Sequence, residues 1–158
     1  MTKDIFDRSP FIEEMTSEQR DLLRPLFSAC DCVEGELLFE QGDPAEYLYL
    51  VVSGEVIVRY KPEDGPELIV ARVKSGGIVG WSAALGSCQY TSGAICGCAS
   101  QLLRVRGADL RQLCSSHPDT GVLVLERLAD VIAERLHSTH QEVVNLLKQG
   151  LVAASCGR

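Results

Sequence analysis

Residues 79–94, VGWSAALGSCQYTSGA, are the stretch of this chain best equipped to hold a small molecule. Gly80 precedes the only tryptophan, Trp81; Ser82 and Ala83 follow, and Thr91 and Ser92 come near the end. The amides of Ser82 and Ala83 and the hydroxyls of Ser82, Thr91 and Ser92 could receive a polar or weakly anionic ligand. Trp81 offers a face for stacking on a planar group, or a large apolar body to fill an empty pocket. Spacing alone leaves both uses open. The stretch has no charged residue, so it has no strong anchor for a charged ligand.

The other reactive residues are seven cysteines, Cys30, Cys32, Cys88, Cys96, Cys98, Cys114 and Cys156. An odd count speaks against a disulfide framework. Cys30/Cys32 and Cys96/Cys98 are spaced by two, which on a strand puts both sulfurs on one face and makes a metal site conceivable. Structural zinc sites use wider Cys-x2-Cys turns, so the expectation is small buried thiols and no metal. The histidines, His117, His137 and His140, all fall in the C-terminal third. A cupin-type metal enzyme needs His on barrel strands, and a Cys nucleophile needs a base nearby. Neither requirement is met, and no enzyme activity is expected.

The candidate loop must be held by an all-β region. Before it, an N-terminal helical segment is expected over 8–28, with a Thr16-x-x-Gln19 capping box and Pro25 ending the helix. From 29 to 106 short apolar runs alternate with glycines, the texture of a sandwich or barrel, with the loop at 76–94. Asp64-Gly65 predicts a tight hairpin with a positive φ at the glycine, and YLYLVV a strand buried on both faces, or at least one in the barrel wall. Helices are expected over 107–150: a short one on ADLRQLC, then a fresh start near Pro118. The long helix carries Leu125, Leu128, Ile132, Leu136, Val143 and Leu147 on one stripe, broken at Thr139 and His140. About 30 helical residues run ~45 Å, longer than one small barrel covers, which favours a homodimer through this helix. Residues 151–158 are expected as a tail.

A length of 158 residues is one ordinary domain. A net charge of −7 with no basic cluster weighs against nucleic acid. No apolar run reaches the ~20 residues of a membrane helix, and the N-terminus has no signal pattern, so no membrane and a cytoplasmic home are expected.

These features together are familiar. VEGELLFEQGDPAEYLYLVVSGEVIVRY, with Gly35, the Gln41-Gly42-Asp43 turn and Ser53-Gly54, resembles the opening of cyclic nucleotide-binding domains of the catabolite activator type. Asp64-Gly65-x-Glu67, Gly76-Gly77 and Val79-Gly80 continue the likeness, and ERLHSTHQEVVNL resembles the helix by which such bacterial regulators dimerise. The resemblance implies a mainly β fold, a jelly-roll barrel with flanking helices and a long C-terminal helix. It also implies that 76–94 is the phosphate-binding cassette, where the family carries Phe-Gly-Glu-x-Ala-Leu and later Arg-Ser/Ala-Ala. The family's Glu binds the ribose hydroxyl and its Arg neutralises the phosphate. Here Trp81 stands at the Glu position and Thr91 at the Arg position, with Ser92 beside it. Thr139 matches the helix position that reaches the base across the dimer, and His140 adjoins it.

The expectation is a regulatory domain without its own output domain that does not bind cAMP in the usual way. Two alternatives stay open. One is a module that binds another small polar or nucleotide-like ligand and signals to a protein partner. The other is a ligand-free dimeric interaction module.

Overall fold

A computed structural model describes residues 2–86 and 88–156. The chain opens with helix α1 (Thr2–Arg8), a 3-10 turn (Pro10–Ile12) and helix α2 (Ser17–Leu23). The capping box is present: Thr16 Oγ1 accepts from the Gln19 amide at 3.1 Å, and Gln19 Oε1 accepts from the Thr16 amide at 2.9 Å. Pro25 lies in a second 3-10 turn (Arg24–Leu26), where the α-helical ladder stops. Helix α1 begins before the expected 8–28 segment and meets it only at Arg8. Its sequence is short for an isolated helix, and tertiary packing holds it: Phe6 is wholly buried with its ring 5.5 Å from that of Phe27.

Among the described residues eight strands follow: β1 (Phe27–Cys32), β2 (Leu37–Phe39), β3 (Tyr47–Ser53), β4 (Val56–Tyr60), β5 (Leu68–Val73), β6 (Ile78–Val79), β7 (Gly93–Cys96) and β8 (Ser100–Arg106). They form two four-stranded antiparallel sheets, ordered β1-β8-β3-β6 and β2-β7-β4-β5. This is the expected jelly-roll. Strand β3 lies between β8 and β6 and is buried from Leu48 to Val52 on both faces. The core between the sheets includes Phe39, Tyr49, Val51, Val56, Val58, Val79, Ala94, Leu102 and Tyr90.

The β4–β5 hairpin differs from expectation at its turn. Residues 61–67 connect the strands, and Gly65 is not among the positive-φ glycines. Pro62 and Pro66 fix φ and remove two donors around Asp64-Gly65, which disfavours a two-residue turn there.

Helix α3 (Ser82–Leu85) sits in the loop between β6 and β7. Helix α4 (Gly107–Ser116) follows β8, and α5 (Pro118–Cys156) begins at Pro118 as expected. At 39 residues α5 runs on through most of the segment expected as a tail. Leu151, Ala153 and Ala154 are strong helix formers and favour continuation past Gly150. The chain divides into two compact units, Met1–Val124 and Leu125–Arg158. On α5, Leu125 and Leu147 are exposed, and the side chains of Leu136 and Val143 lie outside the described residues. Among the described residues no helix is long and apolar enough to cross a membrane.

Candidate functional site

The loop after β6 turns at Gly80, which has φ +77°. A methyl group there would lie 2.8 Å from the Tyr47 carbonyl oxygen, so glycine is required both for the turn and for the close approach to β3. Trp81 caps the N-terminus of α3 without a side-chain cap bond and is half-buried. Ser82 is half-buried and Ala83 buried. Gly80, Trp81, Ser82 and Ala83 are thus brought together at one helix start.

The expected donors fare differently. The Ala83 amide donates to the Gly80 carbonyl at 3.1 Å, closing the turn rather than facing a ligand. Thr91 is exposed and Ser92 half-buried, on the two residues that lead into β7. His140 is exposed in the second unit, and the side chain of Thr139 lies outside the described residues.

The second half of the loop is stitched to the Gln41-Gly42-Asp43 turn. The Gly42 amide donates to the Tyr90 carbonyl at 2.9 Å, the Tyr90 amide to Asp43 at 2.9 Å, and the Ala45 amide to Cys88 at 3.0 Å. Pro44 and Gln89 form a β-bridge. Asp43 also accepts from the Glu40 amide at 2.9 Å through Oδ2, which tightens that turn.

Two side chains at this end of the barrel went unforeseen. Tyr90 points inward and stacks on Phe39, with ring centroids 3.7 Å apart. Arg111 of α4 donates from Nη1 to the Ala83 carbonyl at 2.6 Å. A methyl group at Gly107 would overlap that same carbonyl, so α4 packs directly on α3. The only sequence signal for Tyr90 was a large ring in a run of small residues. Arg111 gave none, since helix-surface arginines are commonplace.

A groove of about 250 Å³ opens beside this cluster, lined by Leu38, Phe39, Asp43, Pro44, Glu46, Tyr47, Tyr49 and Tyr90. Among the described residues of this unit, Gly80, Trp81, Ser82, Ala83, Thr91 and Ser92 are not in its lining. The guanidinium of Arg104 lies 4.6 Å from the Tyr47 ring centroid, so a cation of the chain itself already covers that ring. Burial pushes the Tyr49 phenol up to about 12 and raises that of Tyr90, so both are neutral donors at ordinary pH.

The cysteine pairs differ from each other. Cys30 and Cys32 share a face of β1, with sulfurs 3.4 Å apart. Cys96 is buried at the end of β7, whereas Cys98 is exposed in the following turn, so these two share no strand face. Burial raises the Cys32 and Cys96 thiols above their ordinary range, which makes them poor nucleophiles. Among the described residues no group of three or more His, Cys, Asp or Glu is placed to hold a metal ion.

Comparison with known proteins places this geometry. The profile of the cyclic nucleotide-binding domain matches residues 31–117. The chain is 33% identical over 110 residues to the cAMP-activated global transcriptional regulator CRP of Salmonella typhimurium, covering 69% of this chain and 50% of that protein. The chain thus spans half the length of that curated relative. Among solved structures, the Thermus thermophilus catabolite activator protein is similar at TM-score 0.69 and 28% identity, covering 87% of this chain and 63% of that one. A cyclic nucleotide-binding domain from Methylobacillus flagellatus KT shares the fold at TM-score 0.77 and 20% identity, over 90% of this chain and 80% of that one.

Proposed function

The chain belongs to the cyclic nucleotide-binding domain family, and from that premise we propose a regulatory, non-enzymatic sensing domain that does not hold cAMP in the usual way. The observation carrying this reading is the pair of cassette positions where the family's carboxylate and guanidinium belong. They hold half-buried Trp81 and exposed Thr91. A charge-assisted bond to phosphate contributes about 1.5–3 kcal/mol, so losing the Arg alone costs roughly one to two powers of ten in affinity. The Ala83 amide, one of the remaining donors, is engaged by Gly80.

A ligand at this cassette, if differently shaped or charged, has a route to the helices. Arg111 ties α3 to α4, and α4 leads directly into α5. Displacing α3 must therefore break or drag that bond, which biases a two-state arrangement of the helices. The output is to a protein partner, in a homodimer formed through α5. Exposed Leu125 and Leu147 support the dimer, since a helix surface bearing large apolar groups is suited to a partner helix. The same leucines, together with the stitched loop, support a second reading as a ligand-free dimeric interaction module.

Trp81 is the only tryptophan, so its fluorescence reports on the cassette. Titration with cAMP, cGMP and a panel of cytosolic metabolites, with Trp81→Phe as control, tests the reading. No saturable micromolar response to cAMP or cGMP is expected, and such a response to cAMP would overturn it. A panel member that moves the fluorescence and raises the melting temperature with concentration supports sensing. Silence across the panel favours the second reading.

A further inference from the structure

Tyr90 is only 5% exposed, yet it belongs to the loop rather than to a strand. Its ring lies nearly flat on Phe39, with 15° between the planes. Its hydroxyl donates to the Tyr47 carbonyl at 2.6 Å and accepts from the Tyr47 amide at 3.0 Å. A hydroxyl that donates and accepts against the backbone of one residue is fixed in place. The ring also abuts the cassette glycine: a methyl group at Gly80 would come within 3.3 Å of Tyr90 Cε1 and 3.4 Å of Phe39 Cε2. The space beneath Gly80 is therefore filled by a planar ring that stacks on one face and is hydrogen-bonded at its rim. A ring held in that way leaves no room next to Gly80 for a second group.

We propose that Tyr90 is a tethered occupant of the cassette, a specificity-determining residue that keeps nucleotides out independently of the missing Glu and Arg. This rests on the reading of residues 76–94 as the family's cassette. The chain supplies its own ring at no translational cost, so a free nucleotide must displace it as well as bind. Restoring the two charged anchors is then insufficient by itself.

The test compares the double variant Trp81→Glu/Thr91→Arg with the triple variant that adds Tyr90→Ala, each titrated with cAMP by calorimetry. The triple variant is expected to bind at least tenfold more tightly. Equal behaviour, whether both bind or both are silent, overturns the proposal. Should Tyr90→Ala lose the far-ultraviolet dichroism of the folded chain, Tyr90→Leu takes its place, retaining an apolar contact with Phe39 while removing the hydroxyl. A second arm adds p-cresol, the deleted side chain as a free molecule, to the folded Tyr90 variant. Its melting temperature should rise with p-cresol while that of the unaltered chain does not, and an equal response in both overturns the proposal. The underlying reading fails differently, through cAMP binding by the unaltered chain.

Discussion

The loop between β6 and β7 and the long helix α5 handle their apolar side chains in opposite ways. In the cassette the chain turns inward. Tyr90 fills the interior beneath Gly80, backbone bonds sew residues 88–90 to the 42–45 turn, and Arg111 pins α3 from behind. On α5 the apolar side chains of Leu125 and Leu147 stay exposed. A loop closed by its own chain needs no second molecule for stability, whereas an apolar helix surface gains only when one arrives. The first region should therefore govern folding stability and the second association.

Mutation separates the two. Tyr90→Ala removes a buried aromatic ring and should destabilise the fold by about 3–5 kcal/mol in urea unfolding. Leu147→Glu should change monomer stability by no more than about 0.5 kcal/mol, yet shift sedimentation toward monomer. If Leu147→Glu proved the more destabilising, the division between the regions would fail. Within the closed region, Arg111→Met should cost about 0.5–1 kcal/mol, because it removes the donor to the Ala83 carbonyl from a side chain that is otherwise exposed. An unchanged urea midpoint would mean that α3 does not depend on α4.

Alkaline pH sharpens the same contrast with a smaller effect. Burial raises the phenols of Tyr49 and Tyr90 and the thiols of Cys32 and Cys96. The folded state thus holds protons that the unfolded chain releases. Stability from these groups is complete below their unfolded values, about 8.5 for thiols and 10 for phenols, and is lost as pH rises through the folded ones. For Tyr49 that loss runs from about 10 to about 12. Urea midpoints should therefore fall progressively between about pH 9 and 12; a flat or rising midpoint contradicts this account.

Much of the fold was legible because its signals are local. The Thr16–Gln19 capping box, the continuous YLYLVV run and Pro118 each specify geometry within a few residues. Helix α1 was missed because its stability comes from burying Phe6, a tertiary effect. The Gly80 turn was legible because its geometry is local, whereas the roles expected of Trp81 and Thr91 rest on family resemblance alone. Tyr90 and Arg111 escaped notice because their partners are distant, Tyr47 being 43 residues from Tyr90 and Ala83 28 residues from Arg111. Sequence spacing left open whether Trp81 fills a pocket or stacks on a ligand, and it gave no sign that the ring next to Gly80 is that of Tyr90.

The stitching of residues 88–90 to the 42–45 turn uses backbone groups, and backbone groups do not read side-chain identity. Cys88, Gln89 and Thr91 project outward from a loop whose closure does not require their side chains. Such a loop can change its surface chemistry one substitution at a time without losing its shape. Tyr90 is the fixed point of that arrangement, and its neighbours are the positions from which a new recognition surface could be evolved or engineered.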